Sequence, residues 1–240
     1  MTRPAAPRTL SRPSRTLSLA LVGGLAAAVL SGCSGDGGDD TTPADALAEA
    51  KRLLDETPGL TLQLSTEELP AGVDGVVDAT GVGTHAPAFE GEISVLVNNL
   101  SAKVPVVAVD GLVYAKLPFT NQFAEINPAD YGAPDPAGFM DPDAGVSNWL
   151  TAAQEVSAGE ETREGDQVVT SYEGTLPGEA VASVIPSADD QASFPVVFRL
   201  DDEGRLVAAD VSGPFYGGGA EVDYTLTLSD YGTEKDITRP

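Results

Sequence analysis

The chain has 240 residues and a formal net charge of −24 at pH 7, with 37 Asp and Glu against 13 Lys and Arg. Such an acidic protein repels phosphate backbones, so the composition argues against nucleic acid as a partner. The single cysteine, Cys33, excludes an internal disulfide and any metal site built from several cysteines.

The first 32 residues have the organisation of a secretory signal peptide. Four arginines and no acid lie in residues 1–16, and an apolar run of 14 residues follows at 17–30. This run is shorter than the roughly 20 residues that span a bilayer as a helix. The sequence Leu30-Ser31-Gly32-Cys33 resembles the lipobox of bacterial lipoproteins, whose cysteine receives a diacylglycerol group. We therefore expect cleavage before Cys33 and lipidation of its thiol; the alternative is an incidental free thiol.

Residues 33–42 contain no apolar side chain after Cys33 and predict a lipidated, flexible tether. The remainder, residues 43–240, is long enough for a single domain with a substantial core. Loss of residues 1–32 removes four arginines and no acid, so nine cations face 37 acids and the net charge becomes −28. We expect an exported protein, anchored by lipid rather than by surface charge to the outer face of the cytoplasmic membrane.

The first half of the predicted domain changes from helical to strand periodicity. Residues 43–57 carry apolar side chains at three- and four-residue spacing, which predicts an amphipathic helix ending at Pro58-Gly59. Alternating apolar residues then predict an antiparallel meander of about five strands, with a tight turn at Asp110-Gly111. The predicted strands are 59–69, 74–84, 90–98, 102–109 and 112–117.

The second half mixes loops, short helices and strands. Residues 120–145, rich in Pro, Asp, Asn and Gly, predict an ordered loop. The other predictions are helices at 146–157 and 176–185 and strands at 166–172, 195–200, 205–212 and 220–229. Together they predict the α+β class, with one curved antiparallel sheet of roughly nine strands and about three helices.

Residues suited to catalysis or metal binding are not grouped in the sequence. The only histidine, His85, falls in a predicted loop and is interpreted as a surface residue. The acidic turns Asp141-Pro142-Asp143 and Asp201-Asp202-Glu203 lack the ligand spacing of a calcium loop. We therefore expect a binding protein without cofactor or metal, rather than an enzyme.

Several segments resemble one family of proteins in their order and spacing. They are the strand at 109–117, the stretch 123–153 with Asp135-Pro136 and Asp141-Pro142-Asp143, the turn Gly165-Asp166-Gln167, the helix start Pro177-Gly178 and the ending 228–240. On these segments the chain resembles the LprG/LppX type (LppX_LprAFG) of actinobacterial cell-envelope lipoproteins.

The resemblance implies a half-barrel, in which a curved antiparallel sheet wraps a few helices around a hydrophobic cavity. It also implies acyl-lipid ligands, namely triacylated glycolipids, lipoglycans or triacylglycerol, which are moved from the plasma membrane to the outer envelope, often with an efflux permease as partner. The high acidity and the early proline in Lys116-Leu117-Pro118-Phe119 depart from the family pattern, so the lipid headgroup does not transfer to this chain.

The predicted lining of that cavity consists of apolar side chains on alternating strand positions and on two helices. These are Leu62, Leu64, Ile93, Val95, Val97, Val104, Val106, Trp149 and Val181. The same residues would also suit an ordinary filled core. Two other functions therefore stay open: an anchored interaction or regulatory module without a lipid ligand, and a hydrolase acting on envelope polymers.

Overall fold

The computed structural model describes residues 41–131, 133–165, 167–217 and 219–240. The predicted signal peptide, Cys33 and the tether up to residue 40 lie outside the described residues, as does Asp166. Within the described residues there are three α-helices: α1 (Pro43–Glu56), α2 (Ser147–Ala152) and α3 (Gly178–Ala182). Two 3₁₀ turns lie at Pro128–Tyr131 and Pro136–Met140.

The strands form one antiparallel sheet. They are β1 (Gly59–Ser65), β2 (Gly75–Thr84), β3 (Ala88–Val97), β4 (Leu100–Val109), β5 (Leu112–Ala115), β6 (Ala124–Ile126), β7 (Gln154–Glu164), β8 (Gln167–Pro177), β9 (Ser193–Asp201), β10 (Leu206–Gly213) and β11 (Val222–Ser229). Their spatial order is β6-β5-β4-β3-β2-β1-β11-β10-β9-β8-β7. The first and last strands therefore pair at the centre, and each half of the chain builds one wing of the sheet.

One row of side chains shows how the sheet makes its core. The pairing register brings Val104, Ile93, Ala79, Leu64, Leu226, Ala209, Phe198 and Tyr172 into line across eight adjacent strands. Five of the eight are buried members of one hydrophobic cluster, and Ala79, Leu64 and Tyr172 are partly buried and pack against it. The buried apolar residues of the helices belong to the same cluster. A fully buried large side chain contributes roughly 1.5–3 kcal/mol, so this apolar face drives the sheet to close over the helices. The predicted α+β half-barrel is confirmed.

Helix α1 begins where its sequence provides a cap. The Thr42 hydroxyl accepts a hydrogen bond from the Asp45 amide at 3.2 Å, and the Asp45 carboxylate accepts one from the Thr42 amide at 3.3 Å. This reciprocal capping box, with Pro43 in the first turn, fixes the helix start. The helix buries Leu47, Ala50 and Leu54. Its predicted extent is confirmed to within one residue.

Two predicted helices are too long, and two strands were not predicted. Helix α2 ends at Ala152, and residues 154–157 begin β7 instead of continuing the helix. This edge strand consists largely of exposed polar residues and contains register shifts, so no alternation marks it. Residues 176 and 177 likewise end β8, because the Gly178 amide donates to the Ala192 carbonyl at 2.8 Å. The predicted loop at 120–145 contains the short strand β6 and both 3₁₀ turns.

The interpretation of His85 as a plain surface residue is wrong. Its ring is half-buried in the turn between β2 and β3. Nδ1 lies 2.7 Å from the Met140 carbonyl oxygen, and Nε2 lies 2.7 Å from the Leu54 carbonyl oxygen. The imidazole thus joins the end of α1 to the second 3₁₀ turn. Both partners are backbone atoms distant in sequence, so no local pattern reveals them.

Candidate functional site

A cavity with an almost wholly apolar lining lies between the inner faces of β3, β4 and β5 and the segment 117–136. Its volume is about 180 Å³, and a second cavity of about 40 Å³ adjoins it. The two share Ile93, Ala133, Pro134 and Pro136 in their linings. Protein interiors are normally packed with few voids larger than a water molecule, so this space departs from ordinary core packing. It is the candidate functional site.

Strand alternation builds the floor of the cavity. Register pairs Ile93 with Val104, Val95 with Ala102, and Val106 with Ala115. These side chains face inward because successive strand residues point to opposite sides of a sheet. Of the intervening residues, Ser94 and Lys103 are polar, whereas Leu96 and Pro105 are apolar. On the outer face Lys103 pairs with Glu92 at 3.0 Å. The inner row is thus wholly apolar and lines the cavity, while the outer face is mixed.

The segment 117–136, here called the roof, covers the floor, and five of the eight roof residues that line the cavity are proline or alanine. Pro118, Pro128, Pro134 and Pro136 line the cavity together with Ala133. Proline and alanine side chains are short, so these five positions leave space between the roof and the sheet. Hydrogen bonds within the roof hold it in shape: the Ala133 amide donates to the Pro128 carbonyl at 3.1 Å, and the Asp135 carboxylate accepts from the Ala137 amide at 2.9 Å.

Seven of the predicted lining residues lie around these two cavities. Leu62, Leu64 and Ile93 line the smaller cavity, and Ile93, Val95, Val97, Val104 and Val106 line the larger one. The structure places Trp149 and Val181 elsewhere, at the contact between α2 and α3. Trp149 is 3% exposed and donates from Nε1 to the Ala180 carbonyl at 2.9 Å. Val181 is fully buried in the core. Contact of the other seven residues with lipid remains a prediction.

Sequence reasoning missed the roof and part of the floor. Val113 and Ala115 of β5 also line the cavity, and their alternation in the predicted strand 112–117 could have identified them. The roof residues Ile126, Pro128, Tyr131 and Pro134 carried no such signal. A loop has no fixed periodicity, so its inward-facing side chains are defined only by the fold.

The chemistry of the cavity is that of a hydrocarbon-like surface. Among its lining residues, the Tyr131 hydroxyl is the one polar side-chain group. No group of three or more His, Cys, Asp or Glu side chains within the described residues could hold a metal ion. None of the helices in residues 41–240 that the structure describes has the length and apolar character needed to cross a bilayer. The arrangement can hold an apolar group, and it offers no pair of groups for acid–base work.

Polar side chains gather instead on the convex side and at the turns. The Asp201 carboxylate, in the turn between β9 and β10, accepts from the Arg205 amide and from Arg205 Nε, each at 2.8 Å. Hydrogen bonding to Asp201 raises the pKa of the Arg205 guanidinium. The acidic turn 201–203 is therefore closed by a cation of its own chain.

Comparisons with known proteins agree with this architecture. The family model described as LppX_LprAFG lipoprotein matches residues 42–238. The crystal structure of LprF from Mycobacterium bovis is similar with a TM-score of 0.66 and 14% identity, covering 82% of this chain and 96% of that chain. The crystal structure of LppX from Mycobacterium tuberculosis gives a TM-score of 0.58 and 15% identity, covering 82% and 98%. A comparison with curated protein sequences gives no match. At these identities the structural likeness concerns the fold.

Proposed function

The chain belongs to the LppX_LprAFG lipoprotein family, and from this premise we propose that it is an exported, membrane-anchored lipid carrier. Its cavity would shield the acyl chains of triacylated glycolipids, lipoglycans or triacylglycerol and help move them from the plasma membrane to the outer envelope. The observation that carries this proposal is the apolar cavity between the sheet and the roof.

The composition of the lining supports a hydrocarbon ligand. A water molecule in a cavity needs two to four polar partners, and this lining offers one hydroxyl group. An acyl methylene gains roughly 0.8 kcal/mol on leaving water, and it needs no hydrogen bond in return. The cavity is therefore better suited to acyl chains than to a polar ligand.

The size of the cavity indicates how a ligand would enter. An apolar cavity of about 150 Å³ accommodates benzene, so about 180 Å³ is too small for several long acyl chains. We propose that the roof moves outward when lipid enters. Its edge supports this, because β6 pairs with β5 over only three residue pairs and then gives way to proline-rich turns.

The anchor and the partners complete the proposal. Lipidation of Cys33 would hold the domain at the outer face of the cytoplasmic membrane, where acyl lipids are available. An efflux permease as partner follows from the family resemblance alone. We propose no enzymatic activity, since the lining residues provide no nucleophile with an adjacent base.

An anchored interaction or regulatory module without a lipid ligand is the alternative. Native mass spectrometry of the full chain purified from its own host separates the two functions. A carrier gives a population whose mass exceeds that of the lipid-anchored protein by the mass of one acyl lipid. If the whole population carries only its covalent anchor, the carrier function is wrong and the alternative is favoured.

A further inference from the structure

Two large apolar side chains stand in solvent at the end of the sheet that the cavity reaches. Leu100 is 74% exposed and Phe119 is 109% exposed. In the part of the chain that the structure describes, these are the exposed large hydrophobic side chains. We call them the rim pair. Each continues from an element that lines the cavity.

Leu100 extends the cavity floor into solvent. It is the first residue of β4 and pairs directly with Val97 at the end of β3. Alternation puts it on the same face as Ala102 and Val104, which line the cavity. Exposure rises along this row, from a buried Val104 through a half-buried Ala102 to the exposed Leu100. The apolar surface is therefore continuous from the cavity to the outside.

Phe119 occupies a position that favours glycine. The Thr120 amide and hydroxyl both donate to the Leu117 carbonyl, at 3.1 and 2.7 Å, and close a turn around Pro118 and Phe119. Proline in second place and a left-handed third residue are features of a type II turn. Phe119 is that third residue, with φ of 68°. A bulky side chain is strained there, and its ring buries nothing within the domain to offset the strain.

The surroundings of the rim pair differ in charge from the rest of the molecule. Residues 93–109 and 111–124 contain no acid and carry Lys103 and Lys116, in a chain whose net charge is −24. The tip between β3 and β4 is a tight turn, in which Asn98 and Asn99 have φ of 50° and 61° and the Asn98 amide donates to Asp74 at 2.8 Å. These two stretches thus add no negative charge themselves, while Asp74 contacts the tip and Glu92 pairs with Lys103, so the repulsion of anionic headgroups here is weaker than the net charge alone implies.

We propose that Leu100 and Phe119 enter the boundary between headgroups and acyl chains of a lipid bilayer and bring the cavity against it. An acyl chain could then pass from bilayer to cavity without exposing its methylenes to water. This inference rests on the proposed carrier function and adds the surface through which loading and unloading occur.

A bilayer suits this surface better than a protein partner does. A specific protein interface buries about 1,000 Å² or more in total, and two side chains, of which an aromatic buries roughly 150–250 Å², fall well below that area. A bilayer needs no matching surface. Apolar side chains that reach about 5–10 Å into the interface are sufficient when a covalent anchor already holds the protein nearby.

The first test measures insertion directly. The Phe119→Trp variant of the full chain is purified from host membranes. It is then reconstituted into phosphatidylcholine vesicles with brominated acyl chains. The native Trp149 is buried and provides a constant background. The matched control is Asp202→Trp, in the exposed turn between β9 and β10, which the pairing register places at the opposite end of the sheet.

We expect bromine to quench the added fluorescence of Phe119→Trp about twofold more than that of Asp202→Trp, because only the first indole reaches the acyl boundary. Equal quenching of the two variants would overturn the inference. Dimerisation of the unmodified protein through this end, lost in Leu100→Ser/Phe119→Ser, would also overturn it, because the surface would then bind a second copy.

The second test measures transfer of lipid between donor and acceptor vesicles by Leu100→Ser/Phe119→Ser. Both side chains are exposed, so the variant should melt at the temperature of the unmodified protein. We expect its transfer rate to fall about tenfold, with lipid occupancy unchanged in native mass spectrometry. If the unmodified protein carries no lipid, the proposed function fails. If it carries lipid and both proteins transfer it equally fast, only the inference about the rim pair fails.

Discussion

The phenol oxygens of Tyr216 and Tyr224 lie 2.7 Å apart, and together they form hydrogen bonds with both the amide and the carbonyl of Val76. The Tyr216 hydroxyl accepts from the Val76 amide at 3.1 Å, and the Tyr224 hydroxyl donates to the Val76 carbonyl. Strand β1 ends at Ser65, opposite Thr225, so the tyrosines bridge β11 to β2 just beyond the end of β1. Val76 also lines the smaller cavity. The pair thus closes the sheet at the margin of the candidate site.

Tyr224→Phe should destabilise the domain by about 1–3 kcal/mol, because it leaves the buried Val76 carbonyl without its donor. Unfolding in urea, followed by the fluorescence of Trp149, gives the free energy. Tyr114→Phe is the matched control: Tyr114 is half-buried in β5, and its hydroxyl makes no hydrogen bond within the described residues. Equal stability of the two variants would contradict a structural role for the tyrosine pair.

Stability should fall at alkaline pH. Burial raises the pKa of both Tyr216 and Tyr224 above the ordinary value of 10.0. Below the unfolded-state pKa, both states hold their phenolic protons and the stability is complete. Above about pH 10 the unfolded state loses protons that the native state keeps, so stability decreases by up to about 1.4 kcal/mol per pH unit for each tyrosine that stays protonated in the native state. The free energy of unfolding is measured by urea titration at several pH values from about 9 to 11. Tyr224→Phe should reduce the loss of stability per pH unit by the contribution of Tyr224. An unchanged slope would contradict the conclusion that Tyr224 stays protonated in the native state.

Ile93→Trp tests whether the space at the junction of the two cavities is meant for a ligand. The indole has room there, so the domain should fold while the lipid observed by native mass spectrometry decreases. Val196→Trp is the control, because Val196 is buried in β9 and lines neither of the two cavities. Overpacking there should cost about 1–3 kcal/mol or more. If Ile93→Trp unfolds as Val196→Trp does, the solid-core interpretation is favoured; full lipid occupancy would remove Ile93 from the site.

Phe119→Gly should leave stability unchanged or increase it by up to about 1.5 kcal/mol. Glycine relieves a left-handed conformation that costs other residues about 1–2 kcal/mol, against roughly 0.5–1 kcal/mol for the entropy that glycine loses on folding. Leu100→Gly is the control: its φ is not positive, so it gains no such relief and should lose about 0.5–1 kcal/mol. Urea midpoints decide between them, and a loss in Phe119→Gly as large as in Leu100→Gly would show that the turn is unstrained.

Cys33→Ser should release the protein from membranes. The thiol is the predicted site of lipidation, and serine cannot accept the diacylglycerol group. Growth with an alkyne fatty acid, followed by fractionation, measures label and location together. Ser31→Ala keeps a small residue before the cleavage point and should remain labelled and membrane-bound. A Cys33→Ser protein that stays in the membrane fraction with label would refute the lipoprotein prediction.

The strand predictions agree with the structure where one face of the strand is buried and the other is exposed. In β3, alternation of Ile93, Val95 and Val97 against Glu92 and Ser94 identified the strand and its inward side chains, and Val104 and Val106 did the same for β4. Strand β7 was not predicted because it is an edge strand with polar residues on both faces. The C-terminal end of β8 was missed for a different reason, since Leu176-Pro177 is compatible with both a strand end and a helix start.

Hydrophobic periodicity and capping are local properties, so the α+β class, the antiparallel sheet, the first helix and the inward face of the central strands could be predicted from the chain alone. The fold was needed to show that residues 117–136 roof the cavity, that Trp149 packs at the helix contact, and that His85 bridges Leu54 and Met140. It also decided that Leu100 and Phe119 stand at the end of the sheet that the cavity reaches. Unfilled space, long-range backbone hydrogen bonds and side-chain exposure depend on which elements contact each other in the fold. Contacts between distant elements produce no periodic pattern in the sequence.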